Sequence, residues 1–280
     1  MTRQGLAKTI LILLGVLFIV VMLVLPLATV LTYALREGFE VFTAAITDEY
    51  TIKALQLTLV ATVLTIVIVT VFGIFAAWAI TKFSFPGKQF LTTLIDIPFA
   101  ISPVIAGLIF ILVFGRIGWL NPVLQEFHVK IVFALPGIVL ATIFVTLPFV
   151  ARELIPLMNS LGSNEEEAAA LMGAGGFRIF RRVTLPGIKW GLLYGVILCT
   201  ARALGEFGAV SVVSGHIRGK TNTLPLHIEI LFNEFHLTAA FAVSSILVVI
   251  AVVILILRNI VEYRVKKEEG LDVRRASKHT

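Results

Sequence analysis

At 280 residues the chain has the length of about two ordinary soluble domains. Its composition excludes that reading: 58% of residues are hydrophobic and 14% charged, with a mean hydropathy of +1.00, so lipid must be the solvent for much of the chain. A secreted enzyme, a nucleic-acid-binding domain and a disordered protein are excluded, and the net charge of +6 reads as orientation charge at a membrane surface.

Six stretches are long and apolar enough for a hydrocarbon core about 30 Å thick, which takes about 20 residues of helix. Residues 9–35 carry no charge and are preceded by Arg3 and Lys8. This run is longer than the apolar part of a signal peptide and no small-x-small cleavage site follows it, so it is read as a retained helix. Residues 54–81 are uncharged, and 89–115 hold only Asp96, close to Pro98 and Pro103. Those prolines favour kinks, and Asp96 is read as a structural acceptor rather than a substrate contact. Residues 131–151 are uncharged, 190–214 hold Arg202 and Glu206, and 237–257 are uncharged. Lipid cannot satisfy backbone groups, so long continuous apolar runs predict helices. The expected fold is an all-α membrane protein with six transmembrane helices.

Lysine and arginine set the orientation. With the N-terminus in the cytoplasm, sixteen basic residues fall on inside segments and six on outside loops. Both termini are therefore expected in the cytoplasm. The chain divides into an N-terminal helix with its outer loop (1–50), a core (51–257) and a basic cytoplasmic tail (258–280), polar enough to fray.

The inside loop between the fourth and fifth runs, 157–189, is much longer than the one at 82–88, and a long segment in a compact protein usually has a function. Ser163 and Glu166 have the spacing of a capping box. Glu165, Glu166 and Glu167 stand where a helix dipole favours carboxylates, and residues 168–172 are strong helix formers. Gly173 offers a stop or a close-packing point, and Gly175 and Gly176 permit a sharp turn. Residues 177–182 form a second short amphipathic piece bearing Arg178, Arg181 and Arg182, and Leu185-Pro186 closes the loop.

Glu167-Ala168-Ala169, three residues, Gly173, nine residues, then Val183-Thr184-Leu185-Pro186 resembles the EAA motif of ABC importer permeases, with Val183 at an isoleucine position. Residues 83–88, 96–104 and 201–210 resemble the sulfate/thiosulfate branch of that family, and 96–104 with 211–215 resemble its W-type rather than its T-type subunit. The resemblance implies the type I importer permease fold in the cytoplasmic (inner) membrane. It implies a heterodimer with a T-type permease, two cytoplasmic ATPase subunits that carry ATP and Mg, and an extracytoplasmic sulfate-binding protein. It makes Glu167, Ala168, Ala169, Gly173, Leu185 and Pro186 the ATPase-coupling residues. This chain is expected to hold no cofactor and to hydrolyse nothing itself. Gly219-Lys220-Thr221 resembles the end of a P-loop, but Ser214 stands where that motif needs glycine. Molybdate or tungstate is an alternative cargo. An ion-coupled secondary transporter is the alternative of another class, though no internal repeat supports it.

Arg202 and Glu206, four apart, are expected on one helix face, either as an internal ion pair or with Arg202 lending positive potential to an anion path. Gly191 and Gly195 form a small-xxx-small pair that permits close helix approach. Cys199 is the single cysteine, which excludes an internal disulfide. His128, His216, His227 and His236 lie in or near outer segments without metal spacing and are expected to be solvated or to face the binding protein.

Overall fold

A computed structural model describes residues 3–276. Helix α1 (Arg3–Ile19) passes through a π turn (Val20–Val24) into α2 (Leu25–Ala34), and α3 (Phe39–Thr47) is a short outer piece. The long α4 (Glu49–Lys82) is followed by α5 (Lys88–Ala100), α6 (Pro103–Phe114) and the short α7 (Asn121–Glu126). Next come α8 (Leu135–Leu161), α9 (Asn164–Leu171), α10 (Gly176–Ile179), a second π turn (Phe180–Thr184) and α11 (Leu185–Leu204). The chain ends with α12 (Gly208–Ser214), α13 (Leu224–Asn233) and α14 (Leu237–Ala276).

Five helical stretches are long and apolar enough to span: Lys8–Ala34, Glu49–Lys82, Leu135–Leu161, Gly176–Leu204 and Leu237–Arg264. The expected third span is instead a broken pair, with α5 and α6 bent by 109°. Pro103 disfavours helical backbone at the residue before it. Ser102 sits at φ −58°, ψ 133°, Ile101 is extended, and Pro103 starts a new helix where its missing N–H costs nothing. Pro98, by contrast, is accommodated inside α5. The fifth run is broken as well, ending as α11 at Leu204 and resuming as α12 at Gly208.

Both π turns end one residue before a Leu-Pro pair, Leu25-Pro26 and Leu185-Pro186. A proline ring clashes with the carbonyl four residues back, and widening that turn is a known relief. Each helix therefore continues through its proline. Asp48 caps α4, its carboxylate accepting from the N–H groups of Tyr50 (2.9 Å) and Thr51 (3.2 Å).

The core lies between α4, α8 and α11, where Val69, Ala77, Val150, Leu154, Met158, Ile188 and Cys199 are buried together. Small residues permit this approach. A Cβ on Gly191 would lie 2.3 Å from Leu157 Cδ2, and one on Gly195 would lie 3.3 Å from Val150 Cα. The expected small-residue contact thus joins α11 to α8. Residues 8–28 are exposed along the first helix. Its last turn docks on α14, with the Tyr33 and Phe241 rings 5.2 Å apart. Helix α14 runs on to Ala276 where the basic tail was expected to fray. Its Lys, Arg and Glu residues are good helix formers. Residues 277–280 of that tail lie outside the described residues.

Candidate functional site

Two places concentrate charge against the membrane bundle. The first is the segment from Gly162 to Gly175 around α9. Much of the expected loop 157–189 is helix: its first residues belong to α8, and from Gly176 onward the chain is one helical stretch to Leu204. Leu185-Pro186 therefore lies inside a helix and closes nothing. Leu185 packs against the core while Pro186 is exposed.

The expected capping box is not formed. Ser163 precedes α9 at φ −124°, ψ 2° and makes no side-chain cap. Glu166, which would reach back to it, is engaged elsewhere. Thr184 Oγ1 donates to Glu166 Oε1 at 2.5 Å, and Lys82 Nζ lies 2.9 Å from Glu166 Oε2. Lys82 Nζ also donates to the Gly162 carbonyl. Sequence reasoning missed Lys82 and Thr184 because they lie on other elements, and it gave Glu166 a local partner only.

The far end of α9 behaves as expected of a stop. The Gly173 N–H donates to the Ala170 carbonyl (2.9 Å) and the Ala174 N–H to the Ala169 carbonyl (3.0 Å), which together make a Schellman cap. Gly173 has φ +83°, and no atom lies within 4 Å of where its Cβ would be. Its role within this chain is backbone conformation, not close packing. The sharp turn sits here rather than at Gly175, whose φ is −71°, or Gly176, which begins α10.

Ala169 is the α9 residue turned inward. Glu167 and Ala168 are exposed. So are Leu171 (91%) and Met172 (83%), and Phe177 just beyond. The surface of this segment is thus acidic at the helix start and apolar at its tip. Arg178, Arg181 and Arg182 are exposed on the following helix. Exposed apolar groups rimmed by charge mark an interaction surface.

The second place is the break after α11. Arg202 Nη1 lies 2.6 Å from Glu206 Oε2, with the Glu206 side chain 1% exposed and that of Arg202 33%. The helix ends at Leu204, so Glu206 lies past it rather than on its face. There its Oε1 accepts from the Ala209 N–H at 2.8 Å, satisfying a donor in the first turn of α12. A cavity of about 10 Å³ beside it is lined by Thr58, Thr62, Thr142, Glu206 and Thr223 among others. The pair and the cap both sit at this break between α11 and α12. Elsewhere, Arg152 Nε donates to Asp96 Oδ1 at 2.7 Å, the structural role expected of that carboxylate.

His227 corrects another expectation. It is buried on α13, and its Nε2 lies 3.1 Å from Thr51 Oγ1. Burial pushes its pKa below the ordinary value. His216 stays at the surface, 3.7 Å from Glu229. Thr221, in the P-loop look-alike, donates to the Ser214 carbonyl. Among the described residues no group of three or more His, Cys, Asp or Glu could hold a metal ion.

The chain matches the family described as binding-protein-dependent transport system inner membrane component over residues 69–267. It is 47% identical to the sulfate transport system permease protein CysW of Synechococcus elongatus, over 92% of this chain and 90% of that protein. It is 33% identical to the sulfate transport system permease protein CysT of Salmonella typhimurium, over 89% and 90%. In fold it resembles a chain of a bacterial ABC transporter involved in the import of alginate, with TM-score 0.77 and 17% identity over 95% of this chain and 96% of that one.

Proposed function

The chain belongs to the family of binding-protein-dependent transport system inner membrane components, and from that footing we propose that it is the W-type permease half of an ATP-driven sulfate/thiosulfate importer. It is a multi-pass membrane protein with the importer permease fold. Higher identity to CysW than to CysT supports the W-type reading, with a T-type chain as the other half. The remaining partners are two ATPase subunits, which carry ATP and Mg, and an extracytoplasmic sulfate-binding protein.

The observation that carries the mechanism is the α9 segment. It presents Leu171 and Met172 outward at one end of the bundle while Ala169 and Glu166 face its own protein. In this reading the ATPase takes the exposed tip. Glu167, Ala168 and Ala169 form the docked helix, Gly173 its turn, and Leu185-Pro186 the entry into α11. Closure of the ATPases on ATP displaces the segment, and the bundle alternates between outward and inward access. The chain itself performs no hydrolysis. The Arg202–Glu206 pair is assigned first to the geometry of the break. Its partly exposed arginine also supplies positive potential for a dianion.

Reconstitution in lipid vesicles, leaving out one component at a time, tests this. The full set should take up sulfate only with ATP, and omission of the T-type chain should abolish uptake. Robust uptake without that chain would replace the heterodimer by a homodimer. Faster uptake of molybdate than of sulfate would change the cargo. Uptake by this chain alone on an ion gradient would replace the importer reading altogether.

A further inference from the structure

Helix α9 has eight residues, too few to hold its own shape or position in water. The backbone at its two ends turns at Gly162 (φ +69°) and Gly173 (φ +83°), where nothing packs within 4 Å of either would-be Cβ. Force applied at Leu171 and Met172 would bend these joints before it moved a membrane helix, unless something else ties α9 to the bundle.

That tie is Glu166. Each carboxylate oxygen has one partner, Oε1 with Thr184 at 2.5 Å and Oε2 with Lys82 at 2.9 Å. Lys82 is the last residue of α4, and Thr184 sits in the π turn that leads into α11. The Lys82 ammonium also holds the Gly162 carbonyl, so the near joint is bound to the same helix end. A cation there is favoured by the α4 dipole. The Lys82 and Glu166 side chains are 13% and 18% exposed, so water screens this pair less than an ordinary surface pair. Beneath it lies a cavity of about 60 Å³ lined by Lys82, Met158, Leu161, Gly162, Glu166 and Thr184 among others. Around this cavity the contacts that cross from α9 to the ends of α4 and α11 are polar, while Ala169 packs inward farther along the helix.

We propose that Lys82, Glu166 and Thr184 form a three-point clamp that makes α9 move as one body with α4 and α11, with Glu166 as its central positioning residue. The inference rests on the coupling role proposed above. It assigns work to residues that the EAA motif does not specify, Thr184 standing at its one free position between Val183 and Leu185: the tip receives the motion, and the clamp hands it to two of the three core helices.

The test uses the complete importer in vesicles, with sulfate uptake and phosphate release measured together and ATPase capture measured by pull-down. Lys82→Met and Glu166→Gln should capture the ATPase like wild type yet consume about tenfold more ATP per sulfate. The exchanged pair Lys82→Glu with Glu166→Lys should recover most of the coupling. Thr184→Ser should behave as wild type and Thr184→Val should lie between, which keeps the test open if a charge variant folds poorly. Unchanged ATP use per sulfate in Lys82→Met, Glu166→Gln and Thr184→Val overturns the clamp alone. Loss of ATPase capture without rescue by the exchanged pair overturns it in favour of a purely structural role. No ATP-driven uptake by the wild-type assembly sinks the transport reading, and the clamp with it.

Discussion

Glu166 and Glu206 are both tied to a basic side chain, and the bundle uses the two pairs in opposite ways. Glu206 finds Arg202 four residues back and caps the next helix, all within one stretch of chain, with the carboxylate sealed from water and the arginine partly exposed. Glu166 finds partners from α4 and from the turn before α11, while most of its helix, Ala169 apart, faces outward. A local pair can fix a bend in one element but cannot carry a displacement between elements. A pair that joins three elements can. On the proposed reading, the comparison separates a region whose charge holds architecture from one whose charge transmits motion.

The sharpest way to break this comparison is at the local pair with its buried carboxylate. Arg202→Ala leaves Glu206 buried without its cation and should cost about 3–5 kcal/mol, seen as lost folded yield and a lower Tm in detergent. Arg202→Ala combined with Glu206→Gln keeps a carbonyl for the Ala209 N–H and should restore most of that yield. If uptake also returns, the pair is architectural; if folding returns while uptake stays low, Arg202 guides the anion.

At the exposed segment the pattern should invert. Leu171→Asp with Met172→Asp should change the stability of the isolated chain by less than about 0.5 kcal/mol, since both side chains already face outward. The same change should weaken ATPase capture by about 2 kcal/mol or more, as expected of central apolar anchors. A titrated pull-down measures it.

Gly173 lies between these cases. Gly173→Val should cost about 1–2 kcal/mol through its left-handed backbone and weaken ATPase capture, without clashing inside this chain. Gly173→Asn, which tolerates that conformation, should retain capture. Equal loss in both variants would point to space needed by the ATPase rather than to backbone shape.

The smallest effect concerns pH. Burial holds the folded-state pKa of His227 below its ordinary 6.5, so the unfolded chain takes up a proton first as pH falls. Stability is full above 6.5 and declines as pH drops through the interval between that value and the folded-state one. His227→Gln should flatten this slope in thermal melts at pH 5 to 8, an interval that brackets an ordinary histidine by about one and a half units either side.

The helical membrane fold and the α9 segment were legible because both are written locally. Uncharged runs demand helices in lipid, and the EAA spacing lies within one continuous stretch. The Arg202–Glu206 pair was legible for the same reason, four residues apart. The partners of Glu166 were not, since Lys82 and Thr184 reach it only through the packing of α4 and α11. The breaks were half legible: Pro98 and Pro103 announced a kink, but whether one or both would interrupt the helix depended on Ile101 and Ser102 turning extended. Pro186 misled, because a π turn lets the helix continue through it. His227 misled because α13 folds back against α4, which no local pattern records.

The central claim is that the tip of α9 lies on the cytoplasmic side and docks the ATPase. Met172→Cys tests it directly, because Cys199, the chain's own cysteine, is buried. A membrane-impermeant thiol reagent should label Met172→Cys only from the cytoplasmic side of sealed vesicles, and bound ATPase should protect it. Labelling from the outer side, or equal labelling with and without the ATPase, would contradict the account.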